Sequence, residues 1–437
     1  MKTQRPYPKL IITKKGAAWV QGGHPWIYEG EVIRMESPDA PQNGSLFDAV
    51  SENGRYLGTG FLSLESKIRL RLLSTNANDT FDEAFFRRRI RYALDYRKTV
   101  MGDDISACRL IFGESDGFPG LTVDRFNDLL VSQVLSYGTE IRKDLIYRLL
   151  LEELEKDGVK IRGLYERNDV AIRKLEGLPE YKGWYRFRSI KENASGLLVT
   201  EITETTPCLP VTEITITTPG VPVTEITENG ILYDVDVENG QKTGFFLDQK
   251  YNRLAVSRLA KGKHVLDCFT HTGSFALNAA KGRAEHVTAV DISQTAVDMA
   301  RRNAEKNGLS DRMDFVCADV FDLLPSYIEK KQRPFDFIIL DPPAFTKSRK
   351  TVGSAEKGYK EINLRAMQLL PRGGYLATAS CSHFMSHELF EKMLRSAAKD
   401  AGVSLKQIEV RQQAPDHPIL WNVPETDYLK FYIFQII

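Results

Sequence analysis

Residues 265–280 read VLDCFTHTGSFALNAA. An apolar run closes on Asp267, a short loop carries Gly273, and the apolar spacing then becomes that of a helix. The loop has neither the GxGxxG of dinucleotide binders nor the GK[ST] of a P-loop, so no phosphate cradle is evident. Working outward, the same rhythm recurs. The strand in HVTAVDIS ends at Asp291, MDFVCAD leads to Asp319, FDFIILDPPAF places Asp341 at a fourth strand end, and GGYLATASCS places Cys381 at a fifth. Strands alternating with helices over residues 231–437 predict an α/β domain with a mostly parallel, doubly wound sheet and binding loops at the carboxyl ends of its strands. One aspartate at such a position is as readily a helix cap as a ligand. Three at consecutive strand ends point to a small-molecule site.

The chain ahead of this domain is organised differently. Residues 9–74 alternate short β-branched segments with turn signals (KLIITKKG, GGHPWIYEGEV, QNGSLFDAV, ENGRYLGTGFL, SKIRLRLLS), the pattern of a small all-β module. Trp19 and Trp26 within it are expected in the core. From Asp79 the spacing of Phe81, Phe85, Ile90 and Leu94 is helical. Arg87, Arg88, Arg89, Arg91, Arg97 and Lys98 make that helix basic, either as a solvated face or as one that meets phosphates. RLIFGESDGFPGLTVDRF, DLLVSQVLS and IRKDLIYRLLLEELEKDG complete an α+β unit. VTEIT then occurs at 199, 211 and 223. Residues 199–222 read as a tandem duplication, too short and too polar for a solenoid core, and therefore as a surface excursion. The third copy runs into ENG, a hairpin signal. The expected division is an all-β domain over 1–76, an α+β domain over 77–196, the repeat segment 197–229 and the α/β domain 230–437.

With 437 residues, 42% hydrophobic and 27% charged, the chain can bury two or three cores. A net charge of +1 excludes a globally basic nucleic-acid binder but permits a local basic face. The opening MKTQRPYPKL lacks the apolar run of a signal peptide, and no apolar stretch is long enough to span a bilayer, so a cytoplasmic protein without membrane association is expected. Cys108, Cys208, Cys268, Cys317 and Cys381 show no CxxC or Cys/His spacing. Neither a disulfide framework nor a metal site is supported, and any cysteine chemistry rests on a single thiol.

The 265–280 unit resembles motif I of class I S-adenosylmethionine-dependent methyltransferases. Beyond it, the chain resembles the PUA-domain-containing bacterial 23S rRNA cytosine-5 methyltransferases. GGHPWIYEGEV in the β-module, RLIFGESDGFPGLTVDRF in the middle, NGQKTGFFLDQ, DPPAF and SCS in the α/β domain, and QAPDHPILWNVPETDYLK near the C-terminus carry that resemblance. The duplication is the departure from it. The resemblance implies a PUA-type RNA-binding fold at the N-terminus and a Rossmann-like domain that binds S-adenosylmethionine. It implies that Asp267, Phe269 and Gly273 hold the cofactor in the first loop, Asp291 with Ile292 at the ribose, and Asp319 with Val320 at the adenine. Phe245 and Gln249, from VENGQKTGFFLDQKYNR, would close over the methionine end.

The same resemblance implies that Asp341 hydrogen-bonds the polar edge of the target base and that Cys381 is the nucleophile. Carbon 5 of a pyrimidine is a poor nucleophile until something adds at carbon 6, and a thiolate does this well. Cys268 and Cys317 are expected to be buried and inert. The implied partner is 23S rRNA of the large subunit, with no metal; oligomeric state stays open, the family pointing to a homodimer. Two other readings remain: a guanine N-methyltransferase with similar KTGFFLD and DPP segments but no thiol, and an inactive RNA-binding assembly factor.

Overall fold

The computed structural model describes residues 5–186, 190–192, 198–200, 222–346 and 351–437. The chain divides into two compact units, Met1–Ile226 with Val235–Phe246 and Pro418–Pro424, and Thr227–Asp234 with Leu247–His417 and Glu425–Ile437.

The first unit opens with β1 (Lys9–Ile12), α1 (Lys14–Gln21), β2 (Trp26–Tyr28), β3 (Val32–Glu36), β4 (Leu46–Ser51), β5 (Tyr56–Leu62) and β6 (Ile68–Ser74). These strands form one six-stranded sheet in the order β2-β6-β5-β4-β1-β3. Leu10, Ile12, Ile27, Phe47, Leu62 and Leu70 pack beneath it. Helix α1 begins where the Thr13 hydroxyl accepts from the Gly16 amide, satisfying one of the unpaired donors of a helix start. Trp19, expected in the core, is instead 47% exposed on α1, with its ring 4.7 Å from that of His24. Trp26 is half-buried, and its indole N–H donates to Glu114 at 2.8 Å.

Next come α2 (Glu83–Met101), β7 (Ala107–Phe112), β8 (Leu121–Phe126), β9 (Leu129–Val134), α3 (Tyr137–Glu140), α4 (Lys143–Lys156), β10 (Gly163–Asn168) and β11 (Tyr181–Trp184). Their five strands form a second sheet, β11-β10-β9-β8-β7. The basic residues of α2 are largely neutralised within the protein. Arg87 pairs with Glu83, Glu152 and Glu153, and Arg91 with Glu153 and Asp157. Lys98 pairs with Asp157, Arg88 with Asp79, and the fully buried Arg97 with Asp116. A helix so engaged by acidic partners has little charge left to offer phosphates.

A short antiparallel pair follows, β12 (Ile190–Glu192) with β13 (Leu198–Thr200). Residues 201–221, which hold most of the duplicated VTEIT segment, lie outside the described residues. The third VTEIT copy is β14 (Val223–Glu228), joined to β15 (Ile231–Asp236) by Asn229 and Gly230, both in the left-handed region as a tight hairpin turn requires.

The second unit carries the doubly wound α/β sheet expected from the sequence pattern of residues 231–437. It contains α5 (Lys250–Leu259), β16 (His264–Cys268), α6 (Ser274–Lys281), β17 (His286–Asp291), α7 (Gln294–Lys306), β18 (Met313–Cys317), α8 (Val320–Glu329) and β19 (Phe337–Leu340). After these come α9 (Val352–Leu369), β20 (Tyr375–Ser380), α10 (His387–Ala401), β21 (Leu405–Arg411) and β22 (Lys430–Ile436). The sheet order is β18-β17-β16-β19-β20-β22-β21. The first five strands in that order are parallel to their neighbours, and β22 runs antiparallel to both β20 and β21. The order reverses direction between β16 and β19, the switch point at which such sheets bind ligands.

The last residue of β14, Glu228, is fully buried against Arg253 of α5, with bonds of 2.6 and 2.8 Å. Removing one member of such a pair leaves an uncompensated charge in low dielectric. Glu228→Ala is therefore expected to cost about 3–5 kcal/mol in denaturant unfolding. The double replacement Glu228→Leu with Arg253→Met should recover most of that loss.

Candidate active site

The carboxyl ends of β16, β17 and β18 build one side of the site. Asp267 is buried in β16. Its Oδ2 accepts from the Thr270 hydroxyl at 2.6 Å and the Ala276 amide at 2.9 Å. Its Oδ1 is buried with no hydrogen-bond partner among the described residues. Burial pushes the Asp267 pKa up to about 7; those two hydrogen bonds oppose the shift, and the charges of Asp341 and Asp291 add to it. A buried acceptor left open in this way suits a cationic or hydrogen-bond-donating ligand group.

The loop after β16 is held in an unusual backbone conformation. Phe269, His271 and Gly273 all lie in the left-handed region, at φ 63°, 51° and 82°. A Cβ on Gly273 would also lie 2.9 Å from the Ala300 Cβ, so glycine is required there by both conformation and space. The buried Thr272 hydroxyl has no partner among the described residues. Asp291, at the end of β17, ties this loop down by accepting from the His271 amide at 2.9 Å, while its other oxygen accepts from Ser293. Ile292 is 69% exposed beside it. Asp319 caps α8 through the Phe321 amide at 2.8 Å. The side chain of Val320 is in the core, so that position can offer a ligand only its backbone.

Cys268 is fully buried, as expected, and burial holds its thiol well above the usual range. Cys317, expected to be buried, is exposed, with its sulfur 3.4 Å from the Ile292 carbonyl oxygen. The strand β18 lies at the sheet edge, so its end is not covered by a further strand.

The ends of β19 and β20 build the other side. These strands are parallel, with Leu340 opposite Thr378, so Asp341 and Cys381 emerge at the same edge of the sheet. The Cys381 sulfur lies 3.9 Å from the Pro342 carbonyl oxygen, and the Ser382 hydroxyl donates to the Thr346 carbonyl at 3.0 Å. Gln249 is placed at Asp341, donating from Nε2 to Oδ1 at 2.9 Å. Asn252 donates to the Gln249 Oε1 at 2.6 Å, and Arg411 donates to the Asn252 Oδ1 at 3.1 Å. Because a guanidinium only donates, Arg411 fixes both amides in turn and leaves the Gln249 amine facing Asp341. Thr270 and Asn252 lie within the quoted motifs but were not singled out, and Arg411 lies in none of them. Phe245 is buried and belongs to the first unit.

The sequence pattern of S-adenosylmethionine-dependent methyltransferases matches residues 214–434, and that of PUA-like domains matches residues 10–75. The ribosomal RNA large subunit methyltransferase I of Klebsiella pneumoniae (strain 342) is 39% identical over 437 residues, covering 100% of each chain. The protein of the same name from Aeromonas salmonicida (strain A449) is 42% identical over 409 residues, covering 93% of this chain and 94% of its own. The chain belongs to the ribosomal RNA large subunit methyltransferase I family. Its fold is shared with a Streptococcus mutans protein assigned as a SAM-dependent methyltransferase, at a TM-score of 0.73 and 21% identity, over 98% of this chain and 99% of that one.

The cofactor of this family member is S-adenosylmethionine, and the residues present fit it: the open buried oxygen of Asp267, the Thr272 hydroxyl with no partner among the described residues and the exposed Ile292 beside Asp291 are all at the carboxyl ends of β16 and β17. Among the described residues no helix is long and apolar enough to cross a membrane.

If Asp267 meets the cofactor's ammonium, it must be ionised to do so. With its pKa raised to about 7, protonation competes with binding below that pH. Titration calorimetry should find S-adenosylmethionine binding roughly five-fold weaker near pH 6 than near pH 7, with proton release at neutral pH. An affinity that does not change over that interval would contradict this placement.

Proposed function

We propose that this protein methylates carbon 5 of a cytosine in large-subunit ribosomal RNA, through a transient covalent bond to Cys381. The observation that carries this reading is the position of the Cys381 sulfur, 3.9 Å from the backbone of the DPP loop that bears Asp341. An enzyme methylating an exocyclic or ring nitrogen needs no thiol at that place, because a nitrogen lone pair is already nucleophilic. The names of the relatives specify the RNA and not the base, so the thiol supports the choice of carbon 5.

In this reading the PUA-like domain grips the RNA, and the target cytosine leaves its stack, which costs least in loops and bulges. Asp341, held by Gln249, accepts from the exocyclic amine of cytosine. A uracil would present a carbonyl oxygen to the same carboxylate and be rejected. The Cys381 thiolate adds to carbon 6, and the pair of electrons of the 5,6 double bond makes carbon 5 nucleophilic. S-adenosylmethionine, when bound, supplies a methyl group on a positively charged sulfur. Once carbon 5 carries the methyl group, a base takes its proton, the 5,6 double bond re-forms, and the bond between carbon 6 and sulfur breaks to return the thiolate. Asp267, Phe269, Thr272 and Gly273 would hold the cofactor in the first loop, Asp291 with Ile292 its ribose, and Asp319 with the Val320 backbone its adenine.

Bisulfite sequencing of ribosomal RNA incubated with the protein and cofactor should reveal one protected cytosine. Cys381→Ala should lower that methylation by roughly three orders of magnitude or more while calorimetry still shows cofactor binding. Full methylation by Cys381→Ala would overturn the thiol mechanism and favour the guanine N-methyltransferase reading.

A further inference from the structure

Lys430 is a lysine held inside the second unit. It opens β22 and lies opposite Ser380 of β20, so its backbone is across the ladder from the residue preceding Cys381. Only 1% of it is exposed. Its ammonium donates to the Ser382 carbonyl at 2.7 Å and the Tyr428 carbonyl at 2.8 Å, and among the described residues it forms no ion pair with a carboxylate. Desolvating an ammonium is expensive, and two neutral carbonyls compensate for that only in part. Burial lowers its pKa to about 8, with the charges of Asp427 and Cys381 opposing the shift. Tyr432, Phe434 and Ile436, which alternate with it along β22, are core residues, so a hydrocarbon side chain would suit this position.

We propose that Lys430 is the positioning residue of the nucleophile, fixing the turn at Cys381 through the Ser382 carbonyl and serving as the cation that keeps the Cys381 sulfur ionised. The inference rests on the reading of Cys381 as nucleophile. The titratable groups facing this corner are Asp341 from the DPP loop, Tyr359 from α9, His387 from α10 and Asp427 from the segment before β22. Asp341 and Asp427 both disfavour a second negative charge, so a thiolate placed among them needs a cation. Lys430 supplies one from the buried side. The same ammonium orients the sulfur, since it bonds the carbonyl of the very next residue.

The test is alkylation of the full-length protein by iodoacetamide across pH, with Cys381 followed by peptide mass spectrometry. In the native chain the reaction should have its midpoint below the about 8.5 of an ordinary thiol. Lys430→Met should raise that midpoint and slow alkylation at neutral pH about tenfold, and Lys430→Arg should restore it. The pH–rate profile of methylation should move upward in parallel. A native midpoint at or above about 8.5 overturns the proposal without any variant, as does an unchanged midpoint in folded Lys430→Met. Should Cys381→Ala retain methylation, the nucleophile reading falls, whereas the alkylation profile still reports whether Lys430 acts on the sulfur.

Discussion

In a parallel ladder, neighbouring strands deliver their carboxyl ends to one edge of the sheet, and the residues that follow them emerge side by side. The pairing of β19 with β20 does this for Asp341 and Cys381, and the pairing of β16 with β17 and β19 does it for Asp267 and Asp291. The rest of the second unit serves that arrangement. The antiparallel β22 closes the sheet beside β20, and the helices bury an apolar core of Leu266, Ile338, Leu376 and Phe434 on which the loops rest. A slip of one residue between β19 and β20 would turn every core side chain of the pair to the wrong face, so the register that protects the core also fixes the chemistry.

Three ionisable groups stand at this edge, Asp267 and Lys430 buried and Asp341 half-buried, and each is compensated in a different way. Asp267 has one oxygen bonded by Thr270 and Ala276 and the other open, and its burial raises its proton affinity. Asp341 is approached by the Gln249 amide, whose orientation is set through Asn252 by Arg411. Lys430 bonds two carbonyls and, among the described residues, no carboxylate, so its charge is only partly compensated. Such incompletely matched groups cost stability, and they are found where binding and catalysis use the mismatch.

The sheet and its strand-end residues were legible because buried parallel strands read as apolar runs that stop at the first polar residue. Val265–Leu266, Ala289–Val290 and Phe337–Leu340 stop in that way, and Asp267, Asp291 and Asp341 follow them. Local spacing could not reveal partners distant in sequence. Gln249 bonds a residue 92 positions on, and the arginines of α2 meet acids on α4 more than 60 positions away, so a row of charges that suggested phosphate contacts is an internal ion-pair network. Lys430 was silent for the same reason: only the ladder with β20 brings it to Cys381. Side-chain size misled at Trp19, because α1 turns that position to solvent, and strand position misled at Cys317, because sheet order makes β18 an edge.

The central claim is a covalent bond between Cys381 and carbon 6 of a cytosine. RNA carrying 5-fluorocytosine tests it directly, since carbon 5 then has no proton to lose and the thioether cannot be released. Incubation with the protein and S-adenosylmethionine should give a stable protein–RNA adduct, with the modified nucleotide mapped to the peptide containing Cys381. Absence of an adduct, or its attachment at another residue, under conditions in which unsubstituted RNA is methylated, would contradict the account.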